Sequence, residues 1–209
     1  MQVSAVKSLS AATFAVLDLA LFLSAAPAPP RPQETQAPDS ELVLTLDPAQ
    51  CKVHFTVDSS LHTVHGTFSL KSGTVHFDPQ TGKAGGEIVV YATSGDSGSS
   101  SRDARMHKEI LETAKYPEAS FRPIHIEGKI APSGASDVKL QGVFSFHGTD
   151  HDLTALIHAD LTANHWNGTA KFDVPYIRWG IKDPSNFLLK VKPIVNVELE
   201  MSGGVNAAK

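Results

Sequence analysis

The sequence predicts an all-β fold in which antiparallel strands form a barrel or a sandwich. Two observations carry this prediction. From Glu41 onward apolar residues mostly alternate with polar ones, a period of two that is typical of strands with one buried face. About eight to ten such runs follow one another at short intervals, with turn segments such as residues 132–134 between them.

The first strands are predicted before residue 93. Val53, Phe55 and Val57 alternate with polar residues, and Phe68 and Leu70 continue the same pattern further along. Turn residues then separate the later runs. The four predicted runs are residues 53–57, 64–70, 75–77 and 88–92.

One short helix is predicted where the alternation stops. The segment 97–101 is rich in Ser and Gly, and Ser100 followed by Asp103 resembles a capping box that begins a helix. Met106 and Ile110 lie four residues apart and give the helix one apolar face. Because that face must be buried, we expect the helix to close one end of a barrel or to cross a sheet.

The alternation resumes after the helix. The further runs are residues 124–126, 138–146, 153–161, 166–174, 177–179 and 187–201. One folded domain at residues 41–204 accommodates all of the runs, and residues 205–209 are predicted to form a tail.

The N-terminus is predicted to lie outside the fold. Residues 1–26 combine Lys7, an apolar run at 9–23 and small residues at 24–26, the three parts of a secretory signal peptide. The alternative is an uncleaved anchor, but the apolar run is shorter than the roughly 20 residues of a spanning helix. Residues 27–40 are rich in Pro and Ala and predict an extended linker.

The composition excludes several classes of protein. A hydrophobic share of 41% is too high for a disordered chain. A single cysteine excludes a disulfide scaffold and a thiolate zinc site. The formal net charge of −4 argues against nucleic acid as a partner, since phosphate contacts need a basic surface.

Sequence motifs for catalysis are missing as well. The chain has no GxSxG elbow, and its glycines form neither a GxGxxG motif nor a phosphate-binding loop. Cys51 lies beside a predicted strand and is expected to be a small buried side chain rather than a nucleophile. We therefore predict a protein that is not an enzyme and that has no cofactor.

Ten histidines are a large number for 209 residues. Four of them alternate with apolar neighbours and are expected on the outer face of the strands; they are His54, His65, His125 and His158. Histidine pairs close in sequence offer an alternative, a zinc or copper site. The residues of this alternative are His62, His65, His147 and His151.

The segment at residues 101–121 resembles the central RDxHL…KYPxxxF signature of the YceI-like family. Here Arg102-Asp103 begins the motif, Lys115-Tyr116-Pro117 continues it, and Phe121 ends it. Arg105 stands where the family usually has His, and His107 lies two residues further on. The other segments similar to the family are residues 53–55, 64–68, 140–148 and 179–181, so the resemblance covers residues 44–202.

The resemblance implies an antiparallel eight-stranded, lipocalin-like barrel with one short helix after the fourth or fifth strand. It also implies a long apolar ligand inside the barrel, such as a polyisoprenoid, an isoprenoid quinone or a fatty amide. Aromatic residues on inward-facing positions are the candidates for the wall of this cavity, although they would also suit a solid core. They are Phe55, Phe68, Phe77, Phe144, Phe146 and Trp166.

Three polar residues are the candidates for the barrel mouth under the same resemblance. Arg102 would meet a polar head group there, with Asp103 and His107 beside it. The alternative for Arg102 and Asp103 is a salt bridge and cap that fix the helix.

The resulting hypothesis is a periplasmic or secreted binding protein that holds an amphiphilic, isoprenoid-like lipid. Its partner is the long-chain small molecule, a membrane is contacted only as the source of lipid, and both a monomer and a homodimer stay open. The alternative is a metal- or haem-linked stress or electron-transfer accessory protein that uses the histidine pairs.

Overall fold

The computed structural model describes residues 41–207, which contain nine strands and one short helical segment. The predicted signal peptide and linker lie outside the described residues. The strands are β1 (Leu42–Leu46), β2 (Lys52–Asp58), β3 (Thr63–Phe77), β4 (Ala84–Asp96), β5 (Glu118–Glu127), β6 (Gly134–Phe146), β7 (Thr149–Leu161), β8 (His165–Val174) and β9 (Val195–Ala207). Between β4 and β5, helix α1 (Ser100–Arg105) continues directly into a π-helical turn at Met106–Ile110.

The strands close into an antiparallel barrel with eight positions. Each of the strands from β2 to β9 pairs with its sequence neighbour, and β2 also pairs with β9, which closes the ring. Strand β1 pairs with β3 and β9 as well, beyond the segments of those strands that β2 occupies. Thus β1 and β2 share one position in the barrel, and the prediction of an eight-stranded barrel with one short helix after the fourth or fifth strand is confirmed, since the helix follows β4.

The inward faces of the strands form one apolar core. Phe77 and Leu161 are its most deeply buried large side chains. Trp166 is buried next to them, and its indole N–H donates a hydrogen bond to Thr45 O at 3.3 Å. These residues lie at the end of the barrel where β1 pairs with β3 and β9.

The helical segment lies at the opposite end of the barrel. Its Met106 and Ile110 side chains face the interior, as their spacing predicted. The helix begins differently from the prediction. Its N-cap is Ser99, which makes no side-chain cap hydrogen bond, so a capping box at Ser100 is wrong. No helix within residues 41–207 is long and apolar enough to cross a membrane.

Ser97 holds the helix to the end of β4 and explains why the capping box does not form. The Asp103 carboxylate accepts hydrogen bonds from Ser97 N at 2.9 Å and from Ser97 Oγ. Arg102 Nε donates to Ser97 Oγ at 2.7 Å, and Arg102 Nη2 donates to Ser97 O at 2.6 Å. The hydrogen bond from the Ser97 side chain lowers the pKa of Asp103 below its ordinary value.

Four details of the strand prediction are wrong. Residues 177–179 form a turn and residues 187–194 form a loop, because Pro175, Pro184 and Pro193 interrupt the strand pattern. Strand β1 was not among the predicted runs. Strand β9 continues to Ala207, so residues 205–207 pair with β1 although a tail was expected there.

The pairing of β1 with β9 predicts a sharp difference between two adjacent glycines. A Cβ at Gly203 would overlap the backbone carbonyl of Thr45, whereas a Cβ at Gly204 would have its nearest neighbour, Thr45 Oγ1, at 3.8 Å. We expect Gly203→Ala to lower the free energy of unfolding by about 3 kcal/mol, since backbone cannot give way as a flexible side chain can. Gly204→Ala should change it by less than about 0.5 kcal/mol. Urea unfolding of both variants measures this, and equal effects would contradict the assigned register.

The Ser97 hydrogen bonds predict a pH-dependent effect on stability. At pH 7 we expect Ser97→Ala to lower the free energy of unfolding by about 1–3 kcal/mol, because Arg102 and Asp103 lose their hydrogen bonds to the Ser97 hydroxyl while those to its backbone remain. The Asp103 pKa is depressed in the folded state, so its contribution is present above the unfolded value of about 3.9 and is lost as the pH falls through the folded value. The difference between the variant and the wild type should therefore shrink below about pH 4.

Ser100→Ala is the matched control for this measurement. Ser100 is exposed, so its replacement should have little effect at either pH. A loss of stability in Ser100→Ala together with no loss in Ser97→Ala would support the capping box. It would contradict the hydrogen bonds assigned to Ser97.

Candidate ligand cavity

A cavity of about 630 Å³ runs through the interior of the barrel. Every strand contributes apolar side chains to its wall. The six aromatic residues predicted for the wall all line it; they are Phe55, Phe68, Phe77, Phe144, Phe146 and Trp166. The barrel is therefore not a solid core.

Aromatic rings pack against one another within the wall. The rings of Phe144 and Phe146 are stacked with their centroids 5.4 Å apart, and Phe172 meets Phe144 edge-on at 6.0 Å. On the neighbouring strands β2 and β3, the ring centroids of Phe55 and Phe68 are 5.2 Å apart. These ring pairs belong to the wall, and the cavity remains open beside them.

The wall is apolar along most of its length and carries polar groups at the helical end. Within the described chain, no aspartate or glutamate lines the cavity. Its cationic side chains are Arg102 and Arg105, on one face of helix α1, and His62 lies nearby in the β2–β3 turn. The serines in the lining are Ser59, Ser97, Ser99, Ser101 and Ser120. The cavity thus has one polar end and one apolar end.

Both arginines are held in place by hydrogen bonds. Arg102 is fixed by Ser97, as described above. Arg105 Nη2 donates to Pro184 O at 3.3 Å, and its Nε lies 3.7 Å from Glu109 Oε2. Pro184 itself lines the cavity, so this contact joins helix α1 to the loop before β9 at the cavity rim.

Tyr176 adds a buried phenol to the lining. Its side chain packs with Val174 and Ile181, and its hydroxyl makes no hydrogen bond to the described residues. Burial, with a smaller effect from the charge of Asp183, raises the pKa of Tyr176 to about 12. The phenol therefore stays neutral at physiological pH and adds no charge to the cavity.

The three predicted mouth residues separate into two groups. Arg102 lines the cavity, whereas Asp103 and His107 are not part of its wall. The Asp103 carboxylate binds Ser97, and His107 Nε2 lies 2.9 Å from Gly95 O. Both of these side chains attach the helix to β4.

Sequence reasoning missed several residues of the polar end. Arg105, Tyr176 and Leu189 line the cavity, but they were not among the predicted cavity residues. Arg105 was noted only as a departure from the family signature, and the other two lie in irregular segments after β8. The helix period was the available signal for Arg105, since Arg102 and Arg105 lie three residues apart and therefore on one face of the helix.

The histidines of the alternative prediction lie in separate surroundings. His65 Nδ1 is 3.1 Å from Thr56 Oγ1, and His151 stacks on Trp179 with ring centroids 4.1 Å apart. His147 Nε2 lies 3.0 Å from Glu112 Oε2, at an angle unsuited to a hydrogen bond. Within residues 41–207, no group of three or more His, Cys, Asp or Glu side chains is arranged to hold a metal ion.

Solved structures with this fold come from several bacteria. BcnA of Burkholderia cenocepacia is 16% identical with a TM-score of 0.63, covering 76% of this chain and 99% of that one. A polyisoprenoid-binding domain from Saccharophagus degradans, implicated in plant cell wall breakdown, is 16% identical with a TM-score of 0.57, covering 79% and 98%. The YceI protein of Campylobacter jejuni is 16% identical with a TM-score of 0.53, covering 68% and 84%. At this identity the likeness shows the fold.

Among curated proteins, none is significantly similar to this chain. Comparison with models of protein families does identify the family of this chain. The model of the YceI-like domain matches residues 44–202, which is most of the chain and nearly all of the barrel. The chain therefore belongs to the family of YceI-like domain proteins.

Proposed function

We propose that this protein binds one amphiphilic lipid with a long, isoprenoid-like apolar chain inside its barrel. The observation that carries the proposal is the cavity of about 630 Å³ with an apolar wall and one polar end. Polyisoprenoids, isoprenoid quinones and fatty amides all combine a long apolar chain with a small polar group. The polyisoprenoid-binding domain of Saccharophagus degradans, which shares the fold, supports this class of ligand.

The cavity has the dimensions of a single-ligand site. Small-molecule sites span roughly 300–1,000 Å³, and an eight-stranded barrel is wide enough to hold one small ligand. An empty apolar cavity is unfavourable, because the lining side chains lack contact partners and water gains no hydrogen bonds there. A chain-like lipid restores these contacts along the whole cavity.

Hydrophobic burial supplies the affinity in this proposal. Each buried methylene contributes about 0.8 kcal/mol, so ten of them contribute about 8 kcal/mol before the costs of association are subtracted. Carboxylates in the wall would oppose this gain, because a bound hydrocarbon chain would exclude water from them and leave their charge without a partner. The lack of carboxylates in the described wall therefore favours binding of a hydrocarbon chain.

The polar head group is proposed to lie at the helical end. Arg102 and Arg105 present donors there, with serine hydroxyls around them. Asp103 and His107 are proposed to act as positioning residues, because they attach the helix that carries both arginines. The lipid would then enter with its chain first and leave its head group near the helix.

The protein is proposed to be exported, to the periplasm or beyond, and to carry its ligand rather than transform it. The signal-peptide features of residues 1–26 support export. Under this proposal the protein is a carrier that is not an enzyme and that needs no cofactor, and the described cavity wall carries no carboxylate that could act with His62 as an acid–base pair.

The first prediction of the proposal concerns bound ligand. Native mass spectrometry of the protein purified without detergent should show a mass increment that organic solvent removes. After delipidation, a long-chain prenyl quinone at about 100 times its Kd should stabilise the fold by about 2.7 kcal/mol, which raises the Tm by roughly 5–10 °C. A ligand-free protein whose Tm does not respond to any long-chain probe would overturn the proposal.

A second prediction separates the cavity from the surface of the barrel. Ala155 lines the cavity on β7, and Thr154 beside it faces outward. We expect Ala155→Phe to weaken binding of a prenyl quinone by at least about tenfold, or about 1.4 kcal/mol, because the new ring occupies the path of the chain. Thr154→Phe is the matched control and should leave the Kd unchanged. Equal losses in both variants would mean that the lipid binds outside the barrel.

A further inference from the structure

The pairing of β7 with β8 ends before either strand does. The last pair is Leu156 with Lys171, and both strands continue from there toward the helical end. In that part, residues 149–155 pair with β6 and residues 172–174 pair with β9, but the two segments do not pair with each other. The strands therefore leave an opening between them, which we call the β7–β8 gap.

The pairing of β4 with β5 is also interrupted, but these two strands are joined again. They pair from Ile88 to Tyr91 on β4, and a bridge between Lys83 and His125 connects the same side of the barrel further along. The structure describes no such second bridge across the β7–β8 gap. The gap is therefore a local opening in the wall of the barrel.

A groove lies on the outside of the β7–β8 gap. Its lining comes from the outer faces of both strands and from the turn after β8. Leu153 and Phe172 line both this groove and the ligand cavity, so single residues separate the two spaces here. Apolar residues continue into the groove, where Leu156 is 59% exposed and Trp179 forms part of the wall.

Trp179 fills the space between the two diverging strands. Its ring stacks on His151 of β7, with the centroids 4.1 Å apart and the planes 7° apart. It also packs against the buried cluster at the end of β8 that includes Val174 and Ile181. Its centroid lies 5.9 Å from that of Phe144, a residue of the cavity wall. Side-chain packing of Trp179 therefore connects β7 to the end of β8.

The turn that carries Trp179 is held by its own backbone. Trp179 N donates a hydrogen bond to Pro175 O at 3.1 Å, and Ile181 N donates to Tyr176 O at 3.0 Å. Among the described residues, no backbone hydrogen bond joins this turn to β7. The Trp179 ring closes the gap by packing, so rotation of one side chain opens it.

Opening the helical end elsewhere would separate whole backbone segments. Ser60 N donates to Lys190 O at 2.8 Å, which joins the β2–β3 turn to the loop before β9. Lys182 Nζ lies 2.9 Å from Glu109 Oε2 and joins the same loop to the helical segment. The backbones of β7 and β8 have already separated, so an opening there moves a side chain and no backbone segment.

The β7–β8 gap also offers an apolar route. A lipid chain that passed between Arg102 and Arg105 would remove water from charged groups without giving them partners, which is unfavourable. Beside the gap the chain would meet Leu153, Phe172 and Trp179 instead. An apolar chain is therefore expected to move through the gap, while a head group stays beside the arginines.

We propose that the β7–β8 gap is a side passage by which the lipid chain enters and leaves the cavity, and that Trp179 closes it by stacking on His151. This inference rests on the proposed function, since it describes how that ligand reaches its site. It assigns Trp179 and His151 to the rates of binding and not to the affinity, because a passage changes the rates of entry and exit by the same factor.

The test measures how fast a long-chain prenyl quinone leaves the protein and how fast it enters. Stopped-flow transfer from loaded protein to phosphatidylcholine vesicles gives the dissociation rate, and transfer from vesicles to delipidated protein gives the loading rate. We expect Trp179→Ala and His151→Ala each to raise both rates by about three- to tenfold, since the ring stack that closes the passage is lost. The equilibrium distribution between protein and vesicles should change by less than about twofold.

Two variants control for the substitutions themselves. His158→Ala lies on the same strand, where β7 is paired with β8, and should keep the wild-type rates. Trp179→Phe retains a ring for His151 and should keep both rates within about twofold of the wild type. If Trp179→Ala does not fold, His151→Ala carries the test, because His151 is a partly exposed residue near the start of β7.

Two results would overturn the inference. One is wild-type rates in both Trp179→Ala and His151→Ala. The other is faster dissociation without faster loading, because Trp179 would then contact the bound lipid and not close a passage. A wild type that takes up no quinone would refute the proposed function and this inference together, whereas uptake at unchanged rates in the variants would refute the inference alone.

Discussion

Closing eight strand positions into a barrel creates an interior that its own side chains do not fill. Most inward-facing strand positions are apolar, because polar groups there would lose water without gaining partners. The rings of Phe144 and Phe146 stack on each other at 5.4 Å, which leaves open the volume in front of them. The cavity and the lack of carboxylates in its described wall both follow from this one constraint of closure.

The two ends of the barrel are covered by different elements. At one end β1 continues the position that β2 vacates, and Gly203 allows its backbone to approach β9 closely. Phe77, Leu161 and Trp166 are packed beneath this pairing. At the other end no strand covers the opening, and a short helix tied to Ser97 lies there instead. Backbone pairing of β1 therefore covers one end, and side-chain hydrogen bonds to Ser97 hold the helix at the other.

Periodicity was enough to predict most strands, since a period of two directly records which side chains face inward. All six aromatic residues expected in the wall do line it, because each lies at the correct parity in a regular strand. The resemblance supplied the number of strands and the presence of a cavity, which parity alone does not distinguish from a solid core. Neither the period of two nor the resemblance predicted the irregular segments correctly. The loop before β9 read as a strand, and Tyr176 and Leu189 were missed because turn geometry, with no period, decides where they point.

The same irregular segments place neighbouring apolar side chains in different surroundings. A regular strand can present only alternate faces, so it cannot hold Leu189 in the cavity wall and both Phe187 and Leu188 in solvent. The Asx turn at Asn186 breaks that alternation and permits three successive apolar residues with different surroundings. Prolines at 184 and 193 keep the segment from joining the sheet, since they remove backbone donors at both of its ends. Because paired strands leave no gap between them, the cavity can open only where the pairing ends, and this irregular segment lies at the helical end of the barrel.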